Sequence, residues 1–313
     1  MASIILYNTD PKHIRRTIDE IVDKTPGSLI DEIIVCDDYS TDELDVDGIE
    51  VIVSKQIGRA KAWNIAAKQA KGTEFVFLGG PTKLSQDWLP PLLDAVRGKT
   101  TLASPVVHTL DLNLWASENN YWSRFGWRWD MDLYNRAFFK ADVTPAVSSY
   151  CFAVSKEWFD ELGGFDDGMQ GGYGEDIELS LRSWLFGGRV VVCDDSIVSS
   201  VLRTDVGPHT VKNLVRIVEA WMPKYASHFY EARGLNRSEL NAGRIDNLIR
   251  MQDEQKKSIE WFLSSLQPEL LGVYPLKSSA AGKTIAVFGN GPSVDLVNPA
   301  LINRHDIVIG VDY

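Results

Sequence analysis

Apolar residues alternate between two rhythms along the chain. Residues 3–7, 32–36, 49–54 and 75–78 are short apolar runs bounded by polar or turn-forming residues, and each predicts a strand. Between them, Ile14, Ile18, Ile21 and Val22 share one helical face, and residues 59–71 read as an alanine-rich helix. Asn8-Thr-Asp-Pro11 supplies a loop and helix-start signal after the first run. Further on, 151–154 and 190–193 predict strands, and 156–162 and 175–186 predict helices. Val211, Leu214, Val215, Val218, Met222 and Tyr225 keep helical spacing through one long helix.

Strands alternating with helices imply an α/β fold, a mostly parallel sheet with flanking helices. In such sheets ligands sit beyond the carboxyl ends of the strands. Asn8, Asp37, Asp38 and Gly79 all fall at strand ends and should line one crevice.

The pattern changes twice more. Residues 237–266 are polar with a thin apolar stripe of Leu240, Leu248, Ile249, Ile259, Phe262, Leu263 and Leu266, a helical connector packing along one face. Residues 267–282 form a Pro/Gly/Ser-bearing linker, and 283–293 begin again as strand, glycine turn and helix, with a second strand at 307–311. The expected organisation is a first domain over 1–232, a connector and linker over 233–282, and the start of a second, incomplete α/β domain over 283–313.

Composition narrows the function classes. The net charge of −11 argues against broad nucleic-acid or membrane-surface binding. Arg124, Arg128 and Arg136 leave a local basic track open as an alternative. Three widely spaced cysteines (Cys36, Cys151 and Cys193) form neither a disulfide framework nor a zinc pattern, which suits a reducing cytoplasm. No apolar run reaches the length of a membrane span, so no membrane partner is expected. The five histidines show no paired spacing. Asp194-Asp195 after a strand reads as a solvated turn rather than a metal pair.

Four segments carry candidate chemistry, each with a plainer alternative. Asp37-Asp38-Tyr-Ser-Thr-Asp42 offers carboxylates to a nucleoside edge, or is a polar turn capped by Asp and Ser. Gly58-Arg59-Ala60 permits close backbone approach and a bidentate guanidinium for a diphosphate, or opens a helix with a solvated Arg. Gly171-Gly-Tyr-Gly-Glu-Asp176 runs into a helix; its carboxylates cap that helix, or one of them contacts an acceptor or takes its proton. Gly289-Asn-Gly-Pro-Ser293 is a phosphate-binding turn or an ordinary βα turn.

Taken in order, these residues resemble the GT-A fold glycosyltransferases of the family 2 type, and most closely the polypeptide N-acetylgalactosaminyltransferase family. The likeness runs from residue 3 to about 232 and includes Asp87-Trp-Leu-Pro-Pro-Leu-Leu93, Phe125-Gly-Trp-Arg-Trp129 and Glu161-Leu-Gly-Gly-Phe-Asp166. Residues 285–293 and 306–313 resemble the start of a sialyltransferase-like nucleotide-binding domain.

The resemblance implies a nucleotide-sugar donor, UDP-linked, held by Asn8, Asp37, Asp38, Gly58, Arg59, Gly79 and Arg203. It implies Asp176 as base or acceptor contact with Glu175 supporting it, and Trp127, Trp129 and Tyr173 on the acceptor side. It also implies Mn²⁺ or Mg²⁺, yet the positions matching the family's metal ligands are Gly79, Pro81 and Ser200. The expectation is therefore a transferase without a divalent cation at the usual position, its diphosphate charge offset by Arg59, Lys83 or Arg203. Two further expectations stand beside it: a degenerate domain that positions a C-terminal catalytic one, and a viral-type transferase acting on modified DNA.

Overall fold

The apolar runs of the first eighty residues pair edge to edge, and later strands extend the same sheet. The structure, a computed structural model, describes residues 1–8, 11–38, 48–53, 56–136, 142–201, 208–271, 285–289 and 307–311. The chain divides into two compact units, Met1–Gln267 and Pro268–Tyr313.

In the first unit the strands are β1 (Ala2–Asn8), β2 (Ile30–Asp37), β3 (Glu50–Val53), β4 (Glu74–Leu78), β5 (Thr82–Leu84), β6 (Thr101–Asp111), β7 (Ala116–Trp122), β8 (Phe125–Trp127), β9 (Leu133–Asn135), β10 (Cys151–Ser155) and β11 (Arg189–Ser200). The helices are α1 (Pro11–Lys24), α2 (Arg59–Gln69), α3 (Leu89–Val96), α4 (Lys156–Glu161), α5 (Glu175–Leu185), α6 (Pro208–Trp221), α7 (Ala226–Ala232), α8 (Asp246–Met251) and α9 (Ile259–Leu266).

The main sheet has the order β3-β2-β1-β4-β10-β6-β11-β5, with β7 paired to β6. Strands β1 to β4 are mutually parallel, in register Asn8↔Asp37 and Leu6↔Leu78 at their carboxyl ends. Strand β10 then runs antiparallel to both β4 and β6, so the sheet is mixed rather than mostly parallel. An apolar run reports a strand's burial but not its direction, which the intervening excursion sets.

Burial explains most helix positions. Ile14, Ile18 and Ile21 are buried, whereas Val22 is 66% exposed. At 100° per residue Val22 lies about 80° around from Ile14, beyond the packed stripe. The expected long helix stops at Trp221, and a 3₁₀ turn, Pro223–Tyr225, separates it from α7. Proline lacks the N–H that a continuing helix needs and collides with the preceding turn. Asp194 and Asp195 lie within β11, at a register shift between Cys193 and Ile197, not in a turn beyond the strand.

The core closest to the crevice is aromatic. Fully buried Trp63 of α2 packs against Tyr7, Phe77, Phe152 and Phe165, with centroids 5.0–6.4 Å apart. Burying each such ring contributes about 1.5–3 kcal/mol, so α2 is held firmly where its first turn meets the strand ends. The connector region belongs to the same unit: Leu248, Phe262 and Leu263 are buried, Ile249 is not, and Phe262 stacks on Trp127 at 5.3 Å.

In the second unit, β12 (Ile285–Gly289) and β13 (Ile307–Val311) form a parallel pair. The turn at 290–293 lies outside the described residues.

Candidate functional site

Two glycine-bearing loops meet at the carboxyl ends of β1, β2 and β4. The first precedes α2. Asp38, just past β2, accepts hydrogen bonds from Tyr7 Oη, Ile57 N and Gly58 N, each at 2.9 Å. It therefore ties β1 to the loop that delivers Arg59. Gly58 has φ +90°, and a β-carbon there would lie 2.7 Å from Gly171 N. Only glycine satisfies both the backbone angle and the close approach.

The second loop precedes α5. Arg59 N donates to Gly171 O at 2.7 Å, joining the loops backbone to backbone. Asn213 of α6 clamps the second loop from behind: its Oδ1 accepts from Gln170 N at 3.0 Å, and its Nδ2 donates to Gln170 O at 2.8 Å and Tyr173 O at 3.0 Å. Asn64 of α2 likewise holds the Gly-Phe-Asp turn through paired bonds with Phe165 N and O, each at 2.9 Å.

Arg59 is the centre of the arrangement. Its guanidinium pairs with Glu175, donates to Ser149 Oγ at 2.9 Å, approaches Gly79 O at 3.4 Å and stacks over Trp63 at 5.3 Å. Glu175 Oε2 also accepts from Tyr173 N at 2.8 Å. Burial pushes the Glu175 carboxyl above its ordinary value; Arg59 pulls it back and the neighbouring Asp176 pushes it up again. Asp176 is itself buried and accepts from Ser149 N and Ile177 N, both at 2.9 Å. Its carboxylate thus holds the turn before β10 onto the start of α5. Burial also raises the Tyr173 phenol, whose oxygen donates to Met131 O and accepts from Leu133 N, both at 3.3 Å.

The positions matching the family's metal ligands come together, but their chemistry does not suit a divalent cation. Ser200 Oγ donates to Pro81 O at 2.9 Å. A β-carbon on Gly79 would collide with Ser149 O and lie 3.0 Å from Arg59 Nη1. Hard cations need several anionic or neutral oxygen ligands; here one hydroxyl is already spent, and a guanidinium occupies the approach. Among the described residues no group of three or more His, Cys, Asp or Glu converges as a cation site.

The other expected residues scatter. Asn8 ends β1 beside Asp37, which is buried. Arg203 lies outside the described residues. Lys83 is occupied by Trp115 O at 3.0 Å. Trp127, expected on the acceptor side, is fully buried against Phe262, so it is a packing residue. Trp129 is half-buried and stacks on Tyr225 and His228 at 5.8 and 4.7 Å. The basic track also dissolves: Arg124 is buried and bidentate to Asp194, Arg136 is buried, and Arg128 is 62% exposed.

Ser149, Tyr7, Asn64 and Asn213 escaped the sequence reading. Ser149 sits in Ser148-Ser149-Tyr150 directly before a strand, a signal shared by ordinary turns. Asn213 and Asn64 are polar residues on otherwise packed helical faces, the one hint that each serves a buried backbone.

Comparison with known proteins agrees with this frame. The family model for glycosyl transferase family 2 matches residues 2–163. Human polypeptide N-acetylgalactosaminyltransferase 10 is 28% identical over 96% of this chain and 55% of its own length. Drosophila melanogaster polypeptide N-acetylgalactosaminyltransferase 8 is 26% identical over 88% of the chain and 52% of its own. The chain spans about half the length of the curated relatives it matches. A solved structure of GalNAc-T7 with UDP, GalNAc and Mn²⁺ superposes with a TM-score of 0.75 at 24% identity, covering 88% of this chain and 58% of that one, and shows the shared fold. The family match covers more than half of the sequence, and the sheet order and strand-end crevice accord with it: the chain belongs to glycosyl transferase family 2.

Proposed function

We propose that this chain transfers a sugar from a UDP-linked donor to an acceptor hydroxyl without a divalent cation at the family's usual position. The observation that carries the reading is the guanidinium of Arg59 at the end of β4, next to the positions where relatives of this type are expected to hold a metal. A fixed cation there can meet a diphosphate, and a guanidinium does so through a bidentate fork.

In the transfer, the acceptor oxygen bonds to the anomeric carbon and the bond from that carbon to the diphosphate breaks. UDP leaves with the electron pair, and the acceptor's proton passes to a carboxylate. Glu175 and Asp176 are the candidates for that carboxylate. Asp176 is committed to two backbone amides, so Glu175, whose place on Arg59 a diphosphate can take, is the better placed.

Calorimetric titration of UDP-sugars in EDTA and in Mn²⁺ tests this. Binding in EDTA that Mn²⁺ does not strengthen is expected. Absence of binding in both buffers defeats the donor reading, and strict dependence on Mn²⁺ defeats the metal-free part.

A second reading is a non-catalytic positioning module. It is favoured by the internal pairing of every charged candidate around Arg59. Donor binding without transfer to any of a panel of sugar and peptide acceptors supports it. No helix among the described residues is long and apolar enough to cross a membrane. We keep the cytoplasm as the proposed compartment on the strength of three unpaired cysteines.

A further inference from the structure

We propose that Glu175 is an internal anion that competes with the donor's diphosphate for Arg59, and that Gly172 is the opening through which the exchange occurs. The inference rests on the donor reading above. It adds a sequence of events: the donor displaces Glu175 from Arg59, and the carboxylate released is then available to take the acceptor's proton.

Arg59 has acceptors of two kinds. Glu175 is anionic, whereas Ser149 Oγ and Gly79 O are neutral. The neutral pair, together with the Trp63 ring, keeps the guanidinium at the end of β4 whichever anion it faces. Glu175 is also anchored twice. Its Oε2 accepts from Tyr173 N, so loss of Arg59 leaves the carboxylate tethered to the glycine loop. One ion pair can therefore be exchanged without either partner losing its place.

Access supplies an independent observation. Gly172 is exposed and needs no positive φ, so its backbone does not demand glycine. A β-carbon there would lie 3.3 Å from Arg59 Cζ and 3.4 Å from Nε. A β-carbon there would pack on the guanidinium of Arg59, whose side chain keeps 12% of its surface exposed while that of Glu175 keeps 1%. Glycine at 172 holds the cation accessible from solvent, and conformational need explains Gly171 and Gly174 but not Gly172.

The experiment is titration of UDP in EDTA into wild-type, Glu175→Gln, Gly172→Val, Arg59→Met and Arg59→Met/Glu175→Gln proteins, with cooperative thermal unfolding as the control of folding. Removing the competing charge should tighten UDP binding about two- to fivefold in Glu175→Gln, the size of a partly accessible ion pair. That gain should vanish in the double variant, because it acts through Arg59. Gly172→Val should weaken UDP binding at least fivefold with an unchanged unfolding temperature. Wild-type binding that Glu175→Gln weakens or leaves unchanged overturns the inference alone. No UDP binding by wild type or any variant overturns the donor reading with it. Should Glu175→Gln fail to fold, wild-type protein labelled with ¹³C-carboxyl glutamate gives the answer. The Glu175 resonance shifts on saturation with UDP if the exchange occurs, and an unmoved resonance overturns it.

Discussion

Helix α5 supplies the glutamates of two Arg–Glu pairs, and the pairs differ in what surrounds the arginine. Glu178 and Arg182 are 0% and 1% exposed. Glu178 Oε1 accepts from Trp221 Nε1 at 3.0 Å, and Arg182 also donates to the Leu162 carbonyl. Glu175 faces Arg59, whose side chain reaches solvent past a glycine. The inner pair is sealed by an indole and a backbone carbonyl. The outer pair has neutral acceptors beside it and an opening above it. A buried ion pair costs desolvation whatever it does; where that cost comes with solvent access, the pair is available for binding.

The largest expected effect tests the sealed pair. Glu178→Ala leaves a guanidinium buried without its counter-ion and should destabilise the protein by about 3–5 kcal/mol in chemical unfolding. UDP affinity of the folded fraction should not change. A loss below about 1 kcal/mol would place the inner pair in the same class as the outer one.

Next in size is Arg59→Met. Transfer should fall roughly 100-fold or more, as when a charge-stabilising donor is removed, while stability drops less than in Glu178→Ala because Glu175 can retain a proton. Steady-state transfer rates and an unfolding curve on the same sample separate the two.

Gly79→Asp places an acidic side chain where the family's metal ligand is expected. Its β-carbon meets Ser149 O and Arg59 Nη1, so a cost of about 1–3 kcal/mol is expected, with no gain of Mn²⁺ dependence. Recovery of Mn²⁺-dependent transfer would show that the Ser149 turn yields readily.

The smallest effect is one of pH. Burial holds the Glu175 carboxyl above its ordinary value, net of Arg59. A raised folded value means the folded state holds the proton more tightly than the unfolded chain. The resulting stability is complete below the ordinary value near 4.5 and is lost as pH rises through the folded one. Wild type should therefore lose ground to Glu175→Gln as pH rises above the ordinary carboxylate value near 4.5 in paired thermal melts. A gap that moves the other way would mean Arg59 dominates burial.

Much of this was legible in the chain's pattern, and the reasons are local. Apolar runs bounded by turn residues marked β1, β2 and β4 because a strand buried on both faces needs such a run. Asp38, Gly58 and Arg59 were recognisable because a strand end followed by a glycine and a helix start is a contiguous signal. Trp127 was misplaced on the acceptor side because an aromatic-rich stretch looks the same whether it coats a groove or fills a core. Strand β6 went unread, and β10's reversal could not be seen in its own residues.

What the sequence by itself determined is the family frame: the alternation of strands and helices, the strand-end carboxylates and the glycine loops, with 79, 81 and 200 as the positions expected to match the family's metal ligands. What only the tertiary structure decided is which groups face one another across that frame. Glu175 is 116 residues from Arg59, and Ser149 is 90. Their meeting depends on β10 bringing the Ser149 turn to the end of β4 and on α6 pressing the second glycine loop against the first. Periodicity encodes the burial of each element, but the partner of a charge is set by which loops the sheet order brings to one edge.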